Sequence, residues 1–334
     1  MACGEIISAS IFAQTLRSLG VKATAMTGMQ AGISTDGEYG SARICSVDPQ
    51  RIFAVLEGGS IPVICGFQGV SENDPAEITT LGRGGTDTTA AAIGAALKAC
   101  AVEIYTDVDG IKTADPSWVS GAITLRKAGY DEVAEMAHLG AKVLHPRAAE
   151  IAMRYGIPLW VKNSLSTDAG TEIVAEDVSY SRNITGITHS GRLIYLQLDL
   201  SALGEKRAAV QERIFSLFAR FGVSLYMINL SAAGLGFGIS KEHFAKTEEV
   251  LEELNIKSIV AERADGCTMI SVIGRTYFGK AGVFYRILSL LHEANIQVFQ
   301  TGDSDFSVSF LIPESETKRA VQTLHDALVP SEAG

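Results

Sequence analysis

The chain has 334 residues, enough for two or three domains with hydrophobic cores of their own. A hydrophobic content of 47% and a charged content of 20% are typical of a globular protein and exclude a disordered one. The net charge of −10 argues against nucleic acid or an anionic membrane surface as the main partner. The sequence has no long apolar run, no basic leader and no CxxC pair, so we expect a cytoplasmic protein without a membrane span.

Helices and strands alternate over the first half of the sequence. The spacing of apolar residues predicts helices at 5–19, 49–59, 88–100 and 130–139, and one that ends at Gly156. Short β-rich runs predict strands at 21–28, 61–67, 102–108 and 157–163. This order predicts an α/β domain with a mostly parallel sheet sandwiched by helices. Ligands bind such sheets at the carboxyl ends of the strands, so the loops 68–87 and 106–117 are expected at that edge.

The second half of the sequence contains an internal repeat. A polar segment at 168–184 indicates a domain boundary. Beyond it the order strand–helix–strand–strand–helix occurs twice, at 193–255 and at 267–328. We therefore predict three domains, at 1–178, 185–262 and 265–330, of which the last two are ferredoxin-like α+β modules. The glycine-rich GLGFG at 234–238 lies between two strands and is interpreted as a hairpin tip.

The stretch 81–90, LGRGGTDTTA, is the first candidate site. Its glycine-rich turn presents backbone N–H groups, and the helix start that follows can bind an anion. Arg83 adds a planar, bidentate partner for a carboxylate or phosphate. Asp87 can cap the helix, orient a cation or contact a metal. The alternative is an ordinary strand–loop–helix junction with an N-cap aspartate.

Two further loops carry charged residues. TDVDGIKTADP at 106–116 places Thr106, Asp107 and Lys112 around Gly110 at a strand end, and GAKVLHP carries Lys142. Together with Arg83 these groups suit phosphoryl transfer, in which positioning and charge neutralisation dominate. Each loop alone is more often an ordinary turn. The sequence has no Walker A or GxGxxG motif, no metal-ligand histidine spacing, and no predicted partner for His138 or His145.

These motifs resemble those of the aspartokinase family within the amino-acid kinase superfamily. The matching segments are GRGGTDTTA, TDVDGIKTADP, GAKVLHP, CGEIISASIFAQTLRSLG and QAGISTDGEYGSARI, in the order and spacing of the family. The repeated half is similar to paired ACT regulatory modules. The resemblance covers essentially the whole chain and implies an amino-acid kinase fold followed by two ACT modules.

The resemblance implies a reaction and the residues that serve it. MgATP would phosphorylate the side-chain carboxylate of L-aspartate to 4-phospho-L-aspartate, the first step of the aspartate-family amino-acid pathway, with no metal site of the protein itself. Substrate-binding and catalytic roles would fall to Glu5, Arg83, Gly84, Gly85, Thr86 and Asp87. ATP would bind at Thr106, Asp107, Gly110, Lys112 and Lys142. An amino-acid effector would bind at Met227, Ile228, Asn229, Asn295, Ile296 and Gln297.

Several positions depart from the family pattern. The Lys-Gly-Gly loop that opens the family's kinase domain has no counterpart in the sequence, so we expect an N-terminally incomplete kinase domain. Lys112 stands where the family usually has Tyr, and Ser117 where it has Arg. In the ACT modules, Tyr226 replaces an acidic residue and Ala281 replaces Pro.

Two other functions therefore stay open at this point. One is a non-catalytic subunit that regulates or complements another kinase chain, and the other is a homologue acting on a different amino acid. We expect a homo-oligomer formed through the ACT modules, or pairing with a partner kinase chain.

Overall fold

A computed structural model describes residues 2–141, 143–175, 183–231, 234–254, 260–274 and 281–329. The chain divides into two compact units. The first unit is made of Met1–Ile111, Thr124–His138 and Lys142–Val178, and the second of Lys112–Ile123, Leu139–Ala141 and Ser179–Gly334. None of the described helices is both long enough and apolar enough to cross a membrane.

The first unit alternates helices and strands, as predicted. Its helices are α1 (Ala2–Ser18), α2 (Gln50–Glu57), α3 (Gly85–Leu97), α4 (Tyr130–His138) and α5 (Pro146–Tyr155). Its strands are β1 (Ala23–Met26), β2 (Ile33–Thr35), β3 (Ile44–Val47), β4 (Ile61–Ile64), β5 (Gln68–Ser71), β6 (Ile78–Thr80), β7 (Val102–Thr106), β8 (Lys127–Gly129), β9 (Leu159–Asn163) and β10 (Thr171–Val174).

Parallel pairing connects strands that are separated in sequence by helices. The parallel pairs are β1–β4, β7–β9, β2–β5 and β8–β10. Antiparallel pairs join β2 to β3, β5 to β6, and β9 to β10. The predicted α/β class is confirmed. The stretch 68–87 is not one long loop, however, because β5 and β6 form a hairpin within it.

Helix α3 begins three residues earlier than predicted. Its N-cap is Gly84, in the left-handed conformation with φ 68°, and no side chain caps the helix. Asp87 therefore lies in the first turn and is not the N-cap residue. The hydroxyl groups of Thr88 and Thr89 donate to the carbonyls of Gly84 and Gly85, at 2.9 and 2.7 Å. These bonds hold the glycine turn close to the helix that it opens.

The second unit contains one sheet of seven strands. Its strands are β11 (Gly186–His189), β12 (Leu193–Asp199), β13 (Leu225–Leu230), β14 (Gly234–Ser240), β15 (Val260–Ile273), β16 (Gln300–Asp303) and β17 (Ser307–Pro313). Its helices are α6 (Arg207–Arg220), α7 (Phe244–Leu254), α8 (Val283–Glu293) and α9 (Thr317–Leu328). The strand order is β13-β14-β12-β15-β17-β16, and β11 pairs with β15. The predicted repeat is confirmed.

The two halves of the repeat have separate hydrophobic cores. Phe218 and Phe237 pack edge to face in the first, with ring centroids 5.2 Å apart. Phe310 and Ile287 are fully buried in the second. Both cores form because each helix turns an apolar stripe toward one face of the sheet.

The interpretation of GLGFG as a hairpin tip is wrong. Residues 234–240 form strand β14, which pairs with β12 on one side and β13 on the other. A Cβ at Gly236 would lie 2.7 Å from Oε1 of Gln300 and 3.0 Å from the hydroxyl of Tyr195. Glycine at this position leaves room for these two larger side chains. Close approach of a neighbouring group is one common reason for glycine within a strand.

The segment 112–123 belongs to the second unit although it lies in the first half of the sequence. Ala114 and Val119 are buried in the core of the second repeat half. The Thr113 hydroxyl lies 2.9 Å from Nε2 of the buried His325 on α9. The ring of Trp118 stacks on that of His189, with centroids 3.9 Å apart. This segment directly follows the predicted ATP loop. Contacts that fix the segment therefore also fix the point at which the chain leaves that loop.

Candidate active site

Residues 81–87, here called the Arg83 loop, form a compact turn between β6 and α3. Leu81 is buried, and its N–H donates to the carbonyl of Phe67 at 2.9 Å. Gly82 and Gly84 both have positive φ, at 76° and 68°, which L side chains rarely adopt. The N–H of Gly85, the first residue of α3, donates to the Gly82 carbonyl at 3.0 Å, and Gly85 is buried. The positive end of the helix dipole favours an anion at this position.

Arg83 and Thr86 are exposed on this loop, and Gly85 is buried beneath them. Within the part of the chain that the structure describes, the Arg83 guanidinium takes part in no ion pair. An exposed guanidinium beside a helix N-terminus can receive a carboxylate in bidentate geometry. The loop thus presents positive potential from two sources.

The Asp87 side chain is directed to the start of α5. Its Oδ2 accepts a hydrogen bond from the backbone N–H of His145 at 3.4 Å. Burial raises the pKa of Asp87 above its ordinary value, and the His145 N–H opposes that rise. A carboxylate that is costly to ionise and has one weak internal partner is available to an incoming cation or N–H donor.

Two residues of the α5 start hold the Arg83 loop. Nη1 of Arg147 donates to the carbonyls of Leu81 and Ala42, at 3.4 and 3.5 Å. The His145 ring lies against Gly84, and its Nδ1 accepts the N–H of Arg147 at 3.4 Å as the N-cap of α5. Burial lowers the pKa of His145, with Arg147 as a second cause. The expectation that His145 has no partner is wrong, as it is for His138, whose Nε2 lies 3.1 Å from Glu150.

Glu5 and Thr86 each have a neighbour in the segment Cys65-Gly66. The Glu5 carboxylate is near Cys65, because its charge contributes to the raised pKa of that thiol, whose largest cause is burial. The next residue, Gly66, packs against Thr86: a Cβ there would lie 2.8 Å from the Thr86 Cγ2. The segment Cys65-Gly66 thus adjoins both α1, which carries Glu5, and the Arg83 loop.

Residues 106–111, here called the Asp107 loop, lie at the carboxyl ends of the parallel strands β7 and β9. The Thr106 hydroxyl donates to Oδ1 of Asp107 at 3.0 Å. The Thr106 carbonyl accepts the N–H of Ser164 at 2.8 Å, and Asp109 accepts the side-chain amide of Asn163 at 2.7 Å. The prediction that this loop follows a strand at the sheet edge is confirmed.

Gly110 is required by the conformation of the Asp107 loop. Its φ is 134°, and a Cβ would lie 2.6 Å from the Thr171 hydroxyl. That hydroxyl accepts the Ile111 N–H at 2.9 Å and donates to the Leu125 carbonyl. The loop is thus fixed on one side by β10.

The remaining ATP-site candidates differ in placement. Lys112 belongs to the second unit, and Lys142 lies outside the described residues. No group of three or more His, Cys, Asp or Glu side chains is placed to hold a metal ion in the described part of the chain.

The effector candidates occupy two similar positions in the repeat. Met227 has φ 51° at a register shift between β13 and β14, and Ile228 is half-exposed on the edge strand. Asn229 pairs with Gly236 in the ladder. Asn295 has φ 53° just after α8, Ile296 is buried in the core, and Gln297 is exposed. The side chain of Ile296 therefore packs internally.

Sequence reasoning missed the residues whose contacts support the Arg83 loop. His145 and Arg147 lie in the segment that contains Lys142, which was selected for its charge. Phe67, with φ 68°, is a further strained position, and its N–H donates to the Thr89 hydroxyl at 3.1 Å. The sequence offered one signal for this position, because Gly66-Phe67 stands at the end of an apolar strand.

Comparison with known proteins identifies the family. The sequence profile of the amino acid kinase family matches residues 1–163, and that of the ACT domain matches 270–328. An aspartokinase of Geobacillus stearothermophilus is 37% identical over 98% of this chain and 80% of its own length.

Solved structures agree with the sequence relatives. Escherichia coli aspartokinase III, in complex with aspartate and ADP in the R-state, superposes with a TM-score of 0.79 at 28% identity. The match covers 98% of this chain and 74% of that one. The same enzyme with lysine and aspartate in the T-state gives 0.77 at 28% identity and the same coverage. The chain belongs to the aspartokinase family, with an amino-acid kinase fold followed by ACT modules.

Proposed function

We propose that the chain is an aspartate kinase, which transfers the γ-phosphoryl group of ATP to the side-chain carboxylate of L-aspartate. The observation that carries the proposal is the Arg83 loop, where an exposed guanidinium, a helix N-terminus and the Asp87 carboxylate lie together in a chain of this family. The relatives named aspartokinase match both the kinase unit and the ACT region, which supports a catalytic chain over a purely regulatory subunit.

The aspartate zwitterion needs partners of both charges. Arg83 binds the α-carboxylate in bidentate geometry, and the turn of Gly84 and Gly85 at the start of α3 adds the favourable potential of a helix N-terminus. Glu5 binds the α-ammonium group; its proximity to Cys65, next to the Gly66 that packs against Thr86, supports this role. Thr86 and Asp87 orient the reacting carboxylate. The complex of E. coli aspartokinase III with aspartate supports a substrate of this kind.

ATP binds at the Asp107 loop in this proposal. Thr106, Asp107 and Gly110 contact the nucleotide, with Lys112 and Lys142 as the basic partners of its phosphates. Mg²⁺ usually keeps several waters and binds through phosphates and one or two carboxylates, so we place it with ATP as part of the substrate. The ADP complex of E. coli aspartokinase III supports a nucleotide at this fold.

The chemical step needs no strong base. An oxygen of the substrate's side-chain carboxylate attacks the γ-phosphorus, the bond from that phosphorus to the β–γ bridging oxygen breaks, and ADP leaves with the electron pair. The product is the acyl phosphate 4-phospho-L-aspartate. The attacking carboxylate is already ionised, so catalysis consists of approach and charge neutralisation.

The ACT modules regulate this activity in the proposal. Met227, Ile228 and Asn229 with Asn295, Ile296 and Gln297 form the effector region, and the modules mediate homo-oligomerisation. The lysine complex of E. coli aspartokinase III supports an amino-acid effector.

Hydroxylamine trapping tests the function. The purified chain, incubated with MgATP, L-aspartate and hydroxylamine, is expected to form aspartyl hydroxamate. L-Glutamate and D-aspartate serve as controls of substrate identity. If hydroxamate forms from another amino acid but not from L-aspartate, the substrate assignment is wrong; if none forms, the kinase assignment is wrong.

A further inference from the structure

The histidine at the start of α5 lies in contact with the tightest glycine of the Arg83 loop. A Cβ built on Gly84 would lie 2.2 Å from Cδ2 and Cγ of His145, and 2.4 Å from its Cβ. Such distances do not occur between non-bonded carbons, so the imidazole ring occupies the space that any other residue at position 84 would need. Gly84 itself is in the left-handed conformation, with φ 68°, and packs against the ring.

His145 makes two hydrogen bonds, one to α3 and one within the first turn of α5. Its backbone N–H donates to Asp87 Oδ2 at 3.4 Å, in the first turn of α3. Its Nδ1 accepts the N–H of Arg147 at 3.4 Å, which caps α5. The N-termini of α3 and α5 thus meet through a single residue. Burial lowers the pKa of the ring, which favours the neutral form, whose unprotonated Nδ1 can accept this bond.

We propose that His145 is a positioning residue for the phosphoryl-acceptor site. Its ring holds Gly84, and its amide holds Asp87, so that the α3 amides and the Asp87 carboxylate keep one geometry before substrate arrives. The substrate in this statement rests on the proposed function, whereas the effect on the Arg83 loop does not. His145 acts through its neighbours and not by contact with the reacting atoms.

Preorganisation explains why such a residue would matter for rate. Donors that are already aimed at the substrate need no rearrangement during the reaction. A displacement of about 1 Å in a positioning group can cost about 100-fold in rate. Glycine turns are the most mobile kind of donor array, since glycine has the widest choice of backbone conformations. A ring packed on Gly84 removes that freedom.

Two substitutions separate the ring from the helix cap. His145→Asn keeps an acceptor suited to the N-cap of α5 but removes the ring from Gly84. His145→Phe keeps a ring against Gly84 but has no acceptor for the Arg147 N–H. Each variant is read by kcat and KM for aspartate and ATP, by melting temperature, and by hydrogen exchange of the peptide 81–90.

The two variants are expected to show opposite profiles. His145→Asn keeps the melting temperature, loses about 10- to 100-fold in kcat/KM for aspartate, and exchanges faster over 81–90. His145→Phe melts lower but keeps the exchange protection and most of kcat/KM. Wild-type exchange and kcat/KM in His145→Asn would overturn the proposal, because the residue would then be only a helix cap.

The exchange measurement also separates this proposal from the proposed function. If the wild-type chain forms no aspartyl hydroxamate, the kinase assignment fails. Faster exchange over 81–90 in His145→Asn, with protection kept in His145→Phe, would still support the role of His145. Equal exchange in all three proteins would reject it whatever the substrate.

Discussion

The Arg83 loop and the Asp107 loop are held in different ways. The Arg83 loop has all its described supports within the first unit: Phe67, His145 and Arg147. The Asp107 loop is fixed by β9 and β10 on one side, but the chain that leaves it belongs to the second unit. Thr113, two residues beyond that loop, shares a buried hydrogen bond with His325. The described supports of the Arg83 loop therefore lie in the first unit, whereas the segment that follows the Asp107 loop belongs to the second.

This difference suits a regulated two-substrate enzyme. The chain segment that follows the Asp107 loop contributes Ala114 and Val119 to a core of the second unit. The chain on both sides of the Arg83 loop, by contrast, belongs to the first unit. We therefore expect changes in the second unit to alter the KM for ATP more than the KM for aspartate.

The largest effect is expected from Gly84→Ala. The new Cβ collides with the His145 ring, and alanine is strained at φ 68°. Strain of this kind costs about 1–3 kcal/mol of unfolding free energy, and the displaced loop is expected to lose more than about 100-fold in kcat/KM for aspartate. Denaturant unfolding and the hydroxamate assay measure the two effects.

Gly156→Ala is the matched control for that change. Gly156 has φ 65° at the end of α5, and nothing lies within 4 Å of a Cβ there. It is expected to lose about 1–2 kcal/mol of stability through backbone strain alone and to keep its activity. Equal activity loss in the two variants would show that the contact between Gly84 and His145 is not the cause.

A smaller and more selective effect is expected from His325→Leu. The substitution removes the partner of the Thr113 hydroxyl in the second unit. We expect the KM for ATP to rise about 2- to 30-fold, the range of a coupling of about 0.5–2 kcal/mol, while the KM for aspartate stays the same. His292→Leu, at an exposed histidine of α8, is the control. A change confined to the aspartate KM would contradict the comparison of the two loops.

The sequence alone predicted the main features of the fold for physical reasons. The apolar stripes and β-rich runs are local signals, and they indicated both the α/β unit and the twofold repeat correctly. The strand of GLGFG was misread because glycine in a strand and glycine in a turn look alike until Gln300 and Tyr195 are placed beside Gly236. The hairpin of β5 and β6 was missed because both strands are short.

The charged groups of the candidate site are visible in the sequence, but the residues that support them are not. Arg83 and Asp87 stand out because charge beside glycine is visible in a sequence. His145 and Arg147 act through long-range contacts, from positions about 60 residues away, with a ring face and with main-chain carbonyls. Such contacts leave no local pattern. The same holds for Thr171, whose hydroxyl orders the Asp107 loop through Ile111.

The most direct test of the central claim is the KM for L-aspartate of Arg83→Ala in the hydroxamate assay, with Arg126→Ala as an exposed arginine control from the same unit. Loss of a charged hydrogen bond worth about 1.5–3 kcal/mol predicts a rise of about 10- to 160-fold for Arg83→Ala. The KM for ATP and the Arg126→Ala variant are expected to match the wild type. A wild-type KM for aspartate in Arg83→Ala would contradict the assignment of the Arg83 loop as the acceptor site.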